Sequence, residues 1–195
     1  MNATENDKAD ILYDVCKALT NKRDDHAAAI LNERYPFVPF VNVGRRYSIS
    51  QMLGVFIRDG FIDRYSGNRL VCPATLRLIS KRLPKQFPFH KNWRTDICHF
   101  SFYELTPTVD HIIPISRGGT DDGSNWITTS MTRNAAKSCF TIEEIGWRLH
   151  PPGDIRKWDG LLGWFLDQAR ADSSILANNY LRQWFRAAMK KNTKE

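Results

Sequence analysis

No apolar run in the 195-residue chain approaches the roughly 20 residues that span a bilayer. The opening, MNATENDKADILYD, is polar and mixed in charge, without the apolar core of a secretory leader. These absences predict a cytoplasmic protein that makes no membrane contact. Cysteine is scarce too: Cys16, Cys72, Cys98 and Cys139 lie far apart, and no two form a CxxC pair. The expectation is reduced thiols, with neither a disulfide framework nor a structural zinc. Low-complexity and collagen-like composition is missing, since 42% of the residues are hydrophobic and 12% aromatic, enough to bury a core. Acid is in deficit, with 21 Asp and Glu against 28 Lys and Arg. The formal charge is therefore +7, and an anionic partner is expected.

The deficit is local. No acidic residue stands between Asp63 and Asp96, whereas Arg64, Arg69, Arg77, Lys81, Arg82, Lys85, Lys91 and Arg94 fall in that window. Unopposed cations attract a polyphosphate backbone and release its counterions on binding. Phe87, Phe89 and Trp93 are interleaved with the later cations. Such rings could stack on the bases of an opened strand, but the preferred reading gives them to the core. Arg182, Arg186 and Lys190 recur at i, i+4, i+8, which reads as the wet side of an amphipathic helix.

Periodicity divides the chain into three regions: a helical stretch over 1–60, a basic segment and a strand–loop–strand–helix unit over 61–140, and a helical stretch over 141–195. They are expected to pack as one compact α+β unit, with a homodimer possible. Ile11, Leu12, Val15, Cys16 and Leu19 follow helical spacing. Ser48-x-x-Gln51 is a capping box, Ile49, Met52, Leu53, Phe56 and Ile57 form one apolar stripe behind it, and Gly60 supplies a stop. Residues 61–107 predict short strands, turns and one helix from Thr75 to Leu83. Thr141-x-x-Glu144 is a second capping box, with Phe140 and Ile145 as its staple, and Leu181, Trp184 and Phe185 belong to a final apolar stripe.

Chemistry concentrates in PTVDHIIPISRGGTDDGSNWITTSMTRNAAKS, residues 107–138. A β-branched run ends at Pro114, Gly118 and Gly119 open a polar turn, Trp126–Thr128 is a second strand, and Ser130 caps a helix from Met131 to Ser138. Asp121 and Asp122 read as turn formers in this loop. Phosphodiester hydrolysis needs a base for the attacking water and a counter-charge for the phosphate. An imidazole near neutral pKa (His111) supplies the first. A hard divalent ion on oxygen donors such as Asp110 and Asn134 supplies the second. Asn134 and Lys137 are i, i+3 and share a helix face. Asp110 and His111 are strand neighbours that point to opposite faces, so both can serve one site only if the strand ends or distorts there.

The DHxxP opening, the Gly-Gly turn and the NxxK ending resemble the HNH, or ββα-metal, endonuclease motif, in an H-N-N form. The resemblance implies a ββα-metal core embedded in a mainly helical surround. His111 would be the general base, Asn125 would brace the loop and orient that histidine, and Asp110 and Asn134 would be the ligands of Mg²⁺ or another divalent ion such as Mn²⁺. It also implies a double-stranded DNA substrate, gripped by Lys137, Arg117, Arg133, Lys81, Arg82, Lys85, Lys91 and Arg94. Many members hold a structural zinc on two CxxC pairs; this chain has none, so apolar helices must support the unit. Two alternatives stay open: a DNA-binding module that kept the fold without the chemistry, and a nonspecific nuclease toxin. Reversing charge with Lys81→Glu and Lys85→Glu is expected to weaken duplex binding. Each lost phosphate contact should reduce the log–log salt slope by about 1; unchanged affinity and slope would make this window an idle surface.

Overall fold

A computed structural model describes residues 8–39 and 47–192. The first seven residues of the polar opening, and residues 40–46 of the expected 1–60 region, lie outside the described residues. The chain divides into two units, Met1–Asn42 and Val43–Glu195, a boundary inside the region that periodicity marks as continuously helical. No described helix is long and apolar enough to cross a membrane.

In the first unit, α1 (Lys8–Thr20) and α2 (Asp24–Arg34) are joined by a short turn in which Lys22 takes a positive φ of 56°. Val15 and Ala18 of α1 pack with Ala27, Ile30 and Leu31 of α2. An ion pair of 2.7 Å from Arg34 to Asp14 fastens the same two helices. Leu12 and Leu19 of the expected stripe remain about half exposed, because α2 covers only a narrow face of α1.

The second unit is α+β, a hairpin-and-helix core within helices, as expected. Its first helix, α3 (Ile49–Arg58), starts at the predicted capping box: Gln51 N–H donates to Ser48 Oγ at 3.2 Å, and Ser48 N–H to Gln51 Oε1 at 3.0 Å. Gly60 ends the turn at φ +61°, where a Cβ would lie 2.5 Å from the Gly153 backbone. Helix α4 (Pro73–Arg82) and the short α5 (Ser101–Leu105) precede a two-stranded antiparallel sheet of β1 (Pro107–His111) and β2 (Trp126–Ser130). Then come α6 (Met131–Lys137), α7 (Leu162–Ala171) and α8 (Asn179–Asn192). Phe56, Phe61, Phe165, Leu181 and Trp184 are fully or almost fully buried in the main core. The second capping box forms both of its bonds, Thr141 N–H to Glu144 at 2.9 Å and Glu144 N–H to Thr141 at 3.3 Å, yet no helix follows. Gly146 at φ +65° turns the chain back, and Trp147 N–H closes the turn on Ile142 O.

A two-stranded sheet leaves the outer edges of both strands unpaired. On β2, buried Asp59 accepts from Thr128 N–H at 2.7 Å, and buried Asp63 accepts from Ser130 N–H at 3.0 Å and Thr129 Oγ1 at 3.1 Å. Arg64 N–H donates to Thr128 O. The loop after α3 thus acts as a third strand built from side chains. Arg58 and Arg64 stand against Asp59 at 2.9 and 3.2 Å, which offsets its buried charge. Asp59→Ala is expected to cost about 1.5–3 kcal/mol, because it leaves the buried Thr128 N–H without its charged acceptor. Ser48→Ala, which removes only a cap, should cost about 1 kcal/mol. Urea denaturation separates the two, and equal costs would refute the edge role of Asp59.

Candidate active site

Strand β1 delivers Asp110 and His111 and ends there; Ile112 and Ile113 bend away toward Pro114. Alternation sends the two side chains to opposite faces of the hairpin end. His111 is cross-paired with Trp126, and Asp110 with Ile127.

The imidazole face is built by four side chains. His111 Nε2 lies 2.8 Å from Asp121 Oδ1 and 3.4 Å from the Tyr47 hydroxyl. Trp126 Nε1 is 3.0 Å from the same Asp121 oxygen and 3.2 Å from His111 Nε2. The indole N–H of Trp126 thus points at both Asp121 Oδ1 and His111 Nε2, and the three groups form one polar cluster. The His111 side chain is 3% exposed and that of Asp121 44%, so the acid covers the ring from the solvent side.

On the other face, Asp110 Oδ2 accepts from the Tyr65 hydroxyl at 2.7 Å and from Lys137 Nζ at 3.1 Å. Burial, and secondarily the neighbouring Asp110 carboxylate, push the Tyr65 hydroxyl far above its ordinary range, so it stays a donor. Lys137 Nζ also donates to His111 O at 2.7 Å. Lys137, expected to grip phosphate, is 0% exposed; its ammonium ties α6 to the last two residues of β1 and cannot reach a backbone outside. The correction has a simple cause. The i, i+3 spacing from Asn134 fixes the helix face but not whether that face looks outward or inward.

Asn134 Nδ2 donates to Thr108 Oγ1 at 3.1 Å and to Val109 O at 3.3 Å. Thr108 and Asp110 are i, i+2 and share a face, so Asn134 and Asp110 lie on one side of the hairpin. Asp110 Oδ1 and Asn134 Oδ1 accept no hydrogen bond from the described residues, and neither is sealed from solvent. Among the described residues no three His, Cys, Asp or Glu side chains gather as a metal cluster. One carboxylate oxygen and one amide oxygen are hard donors of the kind that would fit a hard divalent ion.

Asn125 clamps the loop between the strands. Its Nδ2 donates to Ile113 O and Thr120 O, both at 2.8 Å, and its Oδ1 accepts from Ile113 N–H at 2.9 Å. The Gly-Gly pair is required by this closure: Gly118 has φ +85°, and a Cβ on Gly119 would fall 1.9 Å from Ile113 O. Asp122 accepts from Ser124 N–H at 2.8 Å, a turn former as read. Its neighbour Asp121 is not one; it reaches the imidazole. Sequence reasoning missed Asp121, Tyr47 and Trp126. Cross-strand pairing to His111 was the available signal for Trp126, and nothing in the spacing marked the other two.

The expected DNA-facing cations are dispersed. Lys81, Lys85 and Lys91 are exposed with no ion-pair partner among the described residues. Arg82 donates to Gln168 at 2.6 Å. Arg94 pairs with Asp96 at 2.5 Å and Arg117 with Glu144 at 3.2 Å. Arg133 lies 3.8 Å from Asp63 and stacks over Trp147 at 5.5 Å.

Residues 96–130 match the family model of the HNH endonucleases. The matched span takes in Asp110, His111 and Asn125 and stops before Asn134 and Lys137. No curated protein and no solved structure matches the chain. HNH endonucleases act on nucleic acid, and the matched segment is nuclease-type. Asn125→Ala removes three hydrogen bonds from the loop and is expected to destabilise it by about 1–3 kcal/mol. Amide hydrogen exchange at Ile113 should then accelerate, and unchanged protection would refute the clamp.

Proposed function

We propose that the chain is a metal-dependent HNH endonuclease that hydrolyses phosphodiester bonds in double-stranded DNA. The observation that carries this reading is the 2.8 Å contact of Asp121 with His111 Nε2, which orients the imidazole at the end of the strand that also carries Asp110. His111 takes the proton of the attacking water, and the forming imidazolium is stabilised by Asp121, as in other acid–imidazole pairs. Asp110 and Asn134 hold the divalent ion, with Mg²⁺ the best match to hard oxygen donors. When bound there, such an ion neutralises charge gathering on the phosphate oxygens. Lys137 and Tyr65 fix Asp110 through one oxygen and leave the other for the ion. In-line displacement leaves 5′-phosphate and 3′-hydroxyl ends. Lys81, Lys85, Lys91 and the net charge of +7 supply sequence-independent attraction to the backbone.

One observation favours a second reading. The His111 side chain is only 3% exposed, and a site that stays shut would bind DNA without cutting it. Supercoiled plasmid with and without Mg²⁺ separates the two. Cutting that EDTA abolishes and Mg²⁺ or Mn²⁺ restores supports the enzyme; plasmid left intact under every divalent ion supports the binding module. His111→Ala is expected to slow cleavage by about 10²–10⁴-fold with duplex affinity nearly unchanged. Asp121→Asn should lower kcat by about 10–10³-fold with little change in KM, because orientation of the base acts in the transition state. An effect on KM alone would remove Asp121 from the mechanism.

A further inference from the structure

Away from the imidazole, α4, α5, the segment between them and the start of α8 enclose a cavity of about 230 Å³. Arg77, Phe89, Lys91, Trp93, Phe102 and Tyr180 line it. Three of these rings form one wall: Phe89 lies 4.8 Å from Phe102, and Trp93 stands edge-on to both at 5.5 and 6.2 Å. Trp93 is held at the rim with a positive φ of 52°, and the Tyr103 hydroxyl donates to its carbonyl. The Arg77 guanidinium is stacked 3.5 Å from the Phe89 ring centroid and 5.4 Å from that of Tyr180.

Arg77 pairs with no carboxylate among the described residues. Burial draws its guanidinium below its ordinary range, the sign of a cation without a counter-charge. The one phenol on the wall offers none, since burial pushes Tyr180 up to about 12 and keeps it neutral. An anion entering the cavity would offset that desolvation. The volume falls below the roughly 300–1,000 Å³ of clefts that hold drug-sized ligands, so it suits a single ring system. Aromatic rings beside cations that no carboxylate pairs among the described residues match a base attached to a phosphate.

We propose that this slot takes one unpaired nucleotide of a DNA strand, its base against Trp93, the exposed ring at the rim, and its phosphate on Arg77 and Lys91. Thr106 lines the cavity and immediately precedes β1. Four strand residues at about 3.3 Å each put the slot about 13 Å along the strand from Asp110. A base can enter only where the duplex is open, so the slot selects frayed, mismatched or single-stranded DNA.

The test is binding in EDTA, which reads the slot whether or not the hairpin end cuts. The full chain is titrated with a single-stranded oligonucleotide carrying one 2-aminopurine, with the same sequence fully paired, and with free dAMP. The single strand is expected to bind with a change in 2-aminopurine fluorescence that the paired form lacks, and dAMP should compete only weakly. Trp93→Ala and Arg77→Gln should each weaken single-strand binding by about tenfold. Trp93→Phe, which keeps a stacking ring and guards against a folding artefact, should restore most of it. Equal affinity in all variants, or saturation by dAMP with no single-strand binding, would overturn the proposal.

Discussion

Two buried carboxylates, Asp59 and Asp63, take the place of a third strand along the outer edge of β2. A lone hairpin is marginal in water because one edge of each strand stays unpaired and one face uncovered. Here the loop after α3 satisfies the outer N–H groups of β2 from one side, and α6 ties back to β1 through Asn134 and Lys137. The guanidinium groups of Arg58 and Arg64 make the Asp59 charge tolerable in a dry setting. The hairpin is thereby held by side chains from the loop after α3 and from α6, and its end can present Asp110 and His111 at a fixed position.

Order at that end comes from division of labour between atoms of the same residue. Asp110 spends Oδ2 on Tyr65 and Lys137 and keeps Oδ1 open. Asn134 spends its amide nitrogen on β1 and keeps its oxygen open. Asn125 uses both ends of its amide to close the loop. Asp121 uses one oxygen to orient the imidazole and anchor the indole of Trp126. Each such group is held by hydrogen bonds before any ligand arrives, which is what preorganisation would require of the proposed site.

The charge surplus behaves differently from one part of the basic window to another. Some cations are neutralised locally, as Arg94 is by Asp96. Others, such as Lys81 and Lys85, extend into solvent, where their attraction for phosphate is long-ranged and screened by salt. Arg77 is half-buried among rings without a counter-charge. Of the aromatics read as core residues, Phe87 and Phe89 pack around Phe102, whereas Trp93 stays partly exposed, and Phe89 carries the Arg77 guanidinium on one face.

Local rules made much of the fold legible. The Ser48 capping box, the Gly60 stop, the Ser130 cap and the strand–loop–strand–helix order all depend on residues within one turn or one hairpin, and each formed near its expected place. The Thr141 box failed as a helix signal because Gly146, five residues on, turned the chain. At the site, residue types and spacing in the sequence identified Asp110, His111, Asn125 and Asn134 as a group. They did not show that Lys137 points inward, that Asp121 reaches the imidazole, or that Asp59 and Asp63 complete the sheet edge. Those facts depend on which side of an element faces the core and on contacts between residues up to 69 positions apart. One-dimensional periodicity encodes the first only as a choice of two faces and the second not at all; packing of the whole chain decides both.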